Sequence, residues 1–166
     1  EIHERLVGSE MCIRDSIFTF SLLVDTKVSK DKEKINEETR KEIKVFHHKV
    51  LVAEDNLINQ KMMEQILLKL QVDFSIVSNG KEAVDKIKTE HFDLIFMDVR
   101  MPVMDGLEAT RVIKSLPLNH RAPIIVGLTA NATTQDREEC ISNGMDDYIS
   151  KPAKLKDIQK CLQKYQ

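Results

Sequence analysis

The stretch Leu94-Ile95-Phe96-Met97-Asp98-Val99-Arg100-Met101-Pro102-Val103-Met104-Asp105-Gly106 decides how this chain is read. Its first four residues form a short apolar run, the pattern of a strand buried in a parallel sheet. A single carboxylate, Asp98, closes the run. Pro102 and Gly106 then stop the strand and turn the chain. An acid so placed lies at the carboxyl end of a strand, where open α/β sheets hold their chemistry. Two other runs end in a similar way. Val50-Leu51-Val52-Ala53 leads into Glu54 and Asp55, and Asp147-Tyr148-Ile149-Ser150 leads into Lys151-Pro152. Three acids and one lysine at strand ends point to a divalent metal and a phosphoryl group.

Outward from that stretch, strand and helix signals alternate five times between Lys49 and Gln166. Strands are expected at 50–53, 74–77, 94–97, 124–128 and 147–150. Asn56 can cap the first helix, whose buried face is expected to carry Ile58, Met62, Ile66 and Leu70, with Leu67 beside them. Asn79-Gly80 forms a turn, and Ala83, Val84 and Ile87 give the second helix its apolar side. Leu107, Thr110, Arg111 and Ile113 lie on the third. The fourth opens between Ala130 and Asp136 and stops at Asn143-Gly144. The last runs from Lys154 to Tyr165 with Leu155, Ile158 and Leu162 facing inward. Alternating βα units build a parallel sheet with right-handed crossovers. The expected fold class is α/β, a flavodoxin-like doubly wound five-stranded parallel sheet of order 2-1-3-4-5, with helices on both faces. That order gathers Glu54-Asp55, Asp98, Thr129 and Lys151 into one cleft.

Three clustered carboxylates repel one another, and a bound Mg²⁺ (or Mn²⁺) relieves the repulsion. Asp55 and Asp98 are read as direct ligands, Glu54 as a ligand through water, and the backbone carbonyl of Arg100 as the third protein ligand. A carboxylate can accept a phosphoryl group as an acyl phosphate. Asp98 is the best nucleophile, because it closes the central strand and turns flank it. Metal and Lys151 would neutralise charge on the phosphoryl oxygens, and Thr129 would donate its hydroxyl to one of them. A cis bond before Pro152 would aim the Lys151 ammonium inward. Asp105 reads as a turn former and the methionines as packing residues.

Apolar content of 42%, charged content of 31% and a net charge of −2 describe a soluble globular chain without a basic nucleic-acid surface. The apolar stretch from Ile17 to Val24 is too short to span a membrane, which needs roughly 20 residues. Cys12, Cys140 and Cys161 are too irregularly spaced for a disulfide framework or a zinc site, so reduced thiols and a cytoplasmic location are expected. His47 and His48 read as two surface histidines at a domain entrance. Two other function classes compete. A flavodoxin-like cofactor module would need a Ser-, Thr- or Gly-rich phosphate loop after the first strand, where this chain has Glu54-Asp55-Asn56. An aspartyl phosphohydrolase would place a second Asp two residues after the first, where this chain has Arg100.

Val-Leu-Val-Ala-Glu-Asp-Asn (50–56), Met-Asp-Val-Arg-Met-Pro-Val-Met-Asp-Gly (97–106), Leu-Thr-Ala-Asn-Ala (128–132) and Asp-Tyr-Ile-Ser-Lys-Pro (147–152) together resemble the receiver domain of two-component signalling. The resemblance covers residues 49–166. It implies Asp98 as phosphoacceptor, Glu54 and Asp55 as the acidic pair, Thr129 and Lys151 as switch residues and Tyr148 as the switching aromatic. The implied partners are a histidine-kinase phosphohistidine donor and a histidine phosphotransfer protein, with no nucleic acid and no membrane in this piece. The receiver itself would be an acceptor with weak autophosphatase activity. Asp-Asn-x-x-Asn-Gln (55–60) is especially typical of receivers that end hybrid histidine kinases, some of them membrane-anchored. Residues 17–24 resemble the last strand of a kinase ATP-binding domain, and the charged stretch 25–48 would link it to the receiver. Val7 to Ser16 resembles a translated transposon-based sequencing adapter, so residues 1–16 are set aside as an artefact.

Overall fold

A computed structural model describes residues 46–117, 121–130 and 133–166 in full, and the backbone of residues 7–13 and 16–22. The chain divides into two units between Lys41 and Glu42. In the first, β1 (Val7–Ile13) pairs antiparallel with β2 (Ser16–Leu22), Val7 opposite Leu22 and Ile13 opposite Ser16. The strand expected at 17–24 is therefore seen over Ser16–Leu22, and its partner is the segment set aside above. The charged stretch from 25 to 45 lies outside the described residues.

The second unit alternates strand and helix without a break. Its strands are β3 (Lys49–Ala53), β4 (Asp73–Val77), β5 (Leu94–Asp98), β6 (Ile124–Thr129) and β7 (Asp147–Ser150). Its helices are α1 (Leu57–Lys69), α2 (Gly80–Thr89), α3 (Gly106–Ser115), α4 (Thr134–Ser142) and α5 (Leu155–Lys164). All five strands are parallel, in the order β4-β3-β5-β6-β7. Counted within this unit, that is the expected 2-1-3-4-5.

Period-two alternation of apolar strand residues feeds two cores. Val50, Val52, Leu94 and Phe96 meet α1 and α5 on one face. Leu51, Ala53, Ile95 and Met97 meet α2, α3 and α4 on the other. β5, the central strand, is buried along its whole length. Local signals set the helix starts. Asn56, Asn79, Asp105 and Thr133 each turn a side-chain oxygen onto backbone N–H groups of the first turn. Gly144 ends the α4 segment at φ 95°, a conformation glycine adopts without steric cost.

α1 departs from the sequence reading. Its buried stripe is Met63, Ile66, Leu67 and Leu70, while Met62 is only partly buried and Ile58 is 78% exposed. The stripe follows i, i+3, i+4, i+7 from Met63, and one helical repeat earlier it falls on Asn59 and Gln60, not on Ile58. The first turn therefore faces the strand ends with amides. His48 also departs from expectation. Only His47 is exposed; the His48 ring is buried, with Nε2 3.1 Å from the Tyr165 carbonyl oxygen. The end of α5 folds back over the entry to β3 and covers it.

The revised α1 face is testable by denaturant unfolding. Met63→Ala is expected to cost about 2–5 kcal/mol, as truncation of a buried side chain does. Ile58→Ala should change stability by less than about 0.5 kcal/mol; equal losses would restore the face read from sequence.

Candidate functional site

Strand register brings distant residues together. Ala53 pairs with Met97, so Glu54 and Asp98 extend neighbouring strands by one residue each. Asp98 pairs with Leu128, and Thr129 pairs with Ser150. Lys151 follows, its backbone N–H donating to the Thr129 carbonyl at 2.7 Å. The peptide bond from Lys151 to Pro152 is cis.

Glu54 and Asp98 are almost fully buried, at 1% and 5% exposure, and Thr129 is buried beside them. Asp55 is exposed. One carboxylate oxygen from each of Glu54, Asp55 and Asp98 lies within 4.8 Å of the others. The half-buried Lys151 bridges two of them, its Nζ 2.6 Å from Glu54 Oε2 and 2.6 Å from Asp98 Oδ2. The Arg100 backbone N–H donates to Asp98 Oδ1 at 3.2 Å. Burial pushes the Asp98 carboxyl above the ordinary aspartate range and the Glu54 charge adds to the push, while Lys151 and the Arg100 N–H offset part of it. Burial also works against the Lys151 ammonium, but Asp98 and Glu54 outweigh it and hold the lysine above its ordinary range. The lysine is therefore firmly charged, and the Asp98 carboxylate carries an uncompensated desolvation cost.

α1 fixes Glu54. The Asn59 side-chain amide donates to Glu54 Oε1 at 2.8 Å, and the Gln60 amide donates to the Glu54 carbonyl at 2.6 Å. Glu54 Oε2 accepts no well-aligned hydrogen bond despite the nearby lysine. Spare lone pairs on hard carboxylate oxygens suit an oxygen-loving divalent cation. The amides of Asn59 and Gln60 were given no role from sequence. Their spacing after Glu54 was the available signal, obscured because Ile58 was placed on the buried face.

The cleft around Asp98 encloses about 190 Å³ and is lined by Arg100, Thr129 and Lys151, and by Asp136 and Glu139 of α4. These two α4 acids were not anticipated. Tyr148 lies elsewhere, in a groove between β7 and α5, with the Arg137 guanidinium 5.7 Å from its ring centroid. A 280 Å³ cavity at the opposite end of the sheet, lined by His47, His48, His91 and Asp93, lies away from the clustered acids.

Gly106 packs directly under Asp98. A Cβ there would come within 2.0 Å of the Asp98 carbonyl oxygen, so only glycine permits this approach. The loop between them carries Val103 at φ 70° and 84% exposed, centred in a tight turn closed by the Met104 N–H on the Pro102 carbonyl at 2.8 Å. A β-branched residue is strained in that conformation.

Residues 50–163 match the family described as "Response regulator receiver domain". "Histidine kinase 5" of Arabidopsis thaliana is 38% identical over 144 residues, an alignment covering 70% of this chain and 15% of that protein. "Hybrid signal transduction histidine kinase I" of Dictyostelium discoideum is 42% identical over 120 residues, covering 69% of this chain and 7% of that protein. The chain thus spans a small part of either relative. The crystal structure of the receiver domain of a sensor histidine kinase from Pseudomonas aeruginosa, with a magnesium ion coordinated in the active site cleft, is 40% identical. Its TM-score is 0.65, over 72% of this chain and 97% of that one. The co-crystal structure of the Saccharomyces cerevisiae phosphotransfer protein Ypd1 with the receiver domain of Ssk1 gives 33% identity and a TM-score of 0.67, over 72% and 88%.

The raised Asp98 pKa has a defined sign. The fold favours the protonated acid, so its contribution to stability is present at low pH and is lost as pH rises through the folded value. In EDTA at pH 7, Asp98→Asn should melt higher than wild type, and the gap should close as pH falls below the ordinary aspartate range. A gap that is constant across pH would contradict this. Val103→Gly, which loses the Cβ that positive φ crowds, should not destabilise the domain in urea unfolding; a loss of about 0.5–1 kcal/mol, the usual cost of glycine, would contradict strain at this turn.

Proposed function

The chain belongs to the response regulator receiver family, and from that premise we propose that it accepts a phosphoryl group from phosphohistidine onto Asp98 in a two-component phosphorelay. The observation that carries the assignment is the ammonium of Lys151 held 2.6 Å from Asp98 at the end of the central strand. An Asp98 Oδ atom attacks phosphorus, the P–N bond to the donor histidine breaks, and the bonding pair returns to the imidazole nitrogen. Lys151 neutralises the incoming oxygens, and Thr129, buried in the same cleft, donates to one of them. Hydrolysis reverses the charge: water adds to phosphorus, the P–O bond to Asp98 breaks, and inorganic phosphate leaves a free carboxylate. We assign the domain a weak autophosphatase activity on this basis.

Glu54, Asp55 and Asp98, with the main-chain carbonyl of Arg100, would hold Mg²⁺ or Mn²⁺, which when bound supplies positive charge to the phosphoryl oxygens and relieves repulsion among the acids. Asn59 and Gln60 keep Glu54 oriented for that duty. Leu57 and Ile58, exposed on the first turn of α1 directly after the acidic pair, offer an apolar approach for a phosphohistidine-bearing partner. Such a partner is a histidine kinase or a histidine phosphotransfer protein. Phosphorylation would draw Thr129 inward and bias a face formed by α4, β7 and α5, with Tyr148 as the aromatic that changes place. The surrounding protein is read as a hybrid histidine kinase, with 17–24 closing its ATP-binding domain and 25–48 as linker.

Incubation of the full chain with acetyl phosphate and Mg²⁺ should add one phosphate, stable to acid and labile to base. EDTA should abolish the uptake and Asp98→Asn should take up none. Equal labelling of Asp98→Asn would remove Asp98 from the acceptor role.

A further inference from the structure

The loop from Val99 to Gly106 carries the Arg100 carbonyl. Through Arg100, Met101, Pro102 and Asp105 it lines a cavity of about 470 Å³ that reaches Asp55. Its ends are pinned: the Val99 N–H donates to the Leu128 carbonyl at 3.1 Å, and the Gly106 N–H donates to the Val99 carbonyl at 3.0 Å. Between those ends the Met104 N–H closes the turn internally on Pro102. Among the described residues, the backbone hydrogen bond that reaches Arg100 to Met104 from outside the loop comes from α2. There the Gly80 N–H donates to the Met104 carbonyl at 3.1 Å.

Gly80 opens α2 directly after the Asn79 cap and is buried. Its φ is not positive, so the backbone conformation does not call for glycine. The space does. A Cβ at this position would lie 2.7 Å from the Met104 carbonyl oxygen, 2.9 Å from the Asp105 carbonyl oxygen and 2.8 Å from the Ala109 Cβ. Two of those three neighbours are backbone atoms of the loop. α2 is held by its buried Ala83, Val84 and Ile87, whereas Pro102, Val103 and Asp105 of the loop are exposed. An added Cβ would therefore displace the loop and not the helix.

We propose that Gly80 is a positioning residue for the divalent cation: its N–H and its missing Cβ hold the Met104 end of the loop and so fix where the Arg100 carbonyl stands. This rests on the reading of Glu54, Asp55, Asp98 and the Arg100 carbonyl as the cation site. Gly80 acts through Met104 and Asp105, not by contact with the cation. A small octahedral cation holds its ligands to narrow limits of distance and angle. Moving the loop shifts one ligand out of those limits while the carboxylates stay, so the loss of binding is partial.

The test is a titration of the full chain with Mg²⁺ followed by ¹H–¹⁵N NMR. Gly80→Ala should bind about ten-fold more weakly than wild type, as loss of a residue that orients a metal ligand does. Met63→Ala, which destabilises the domain from the core on the other face of the sheet, should bind as wild type does. An unchanged affinity in Gly80→Ala, or an equal loss in Met63→Ala, overturns the proposal and leaves the cation site intact. Amide hydrogen exchange of the wild-type chain supplies a reading that no misfolded variant can spoil. Mg²⁺ should slow exchange of the Gly80 N–H, because a loop released from α2 gives up the cation. A Gly80 rate indifferent to Mg²⁺ also overturns the proposal. A wild-type chain that takes up no Mg²⁺ removes the cation site on which it rests.

Discussion

The contact of Lys151 Nζ with both Glu54 and Asp98, each at 2.6 Å, is what the site depends on. Two carboxylates buried side by side repel each other. The lysine offsets that repulsion at adjacent strand ends. It does not cancel their cost, since the Asp98 carboxyl remains above its ordinary range. That residual cost marks a poorly solvated carboxylate oxygen, which suits the nucleophile role proposed for Asp98. Stability is given up at the residue proposed to accept the phosphoryl group.

The rest of the domain keeps this arrangement in place. Parallel pairing of Thr129 with Ser150 delivers Lys151, and pairing of Ala53 with Met97 aligns Glu54 with Asp98. The first turn of α1 turns Asn59 and Gln60 onto Glu54, and Gly106 lets α3 start hard against the Asp98 carbonyl. Three sides of the cleft are thus rigid. The fourth is α4, tied down chiefly through Cys140. A site with three fixed walls and one loose wall can turn a local change of charge into a movement of one element.

The sheet order and the gathering of Glu54, Asp55, Asp98, Thr129 and Lys151 were legible because strand ends are marked by where apolar runs stop. The start of α1 was legible at Asn56, a capping residue, whereas Asn79 and Asp105 read as turn residues and in the structure cap α2 and α3. The face of α1 was not. Ile58 and Met63 are both apolar, and only the angle at which the helix leaves the strand decides which is buried. His48 was misread as exposed because its cover, the end of α5, is 117 residues away.

The central claim is that Asp98 becomes the acyl phosphate. The most direct measurement is reduction of the phosphorylated chain with borohydride, followed by mass spectrometry of its peptides. An acyl phosphate is reduced to an alcohol, so homoserine should appear at position 98 and at no other acid. Homoserine at Asp55 or Asp105, with Asp98 recovered unchanged, would contradict the account.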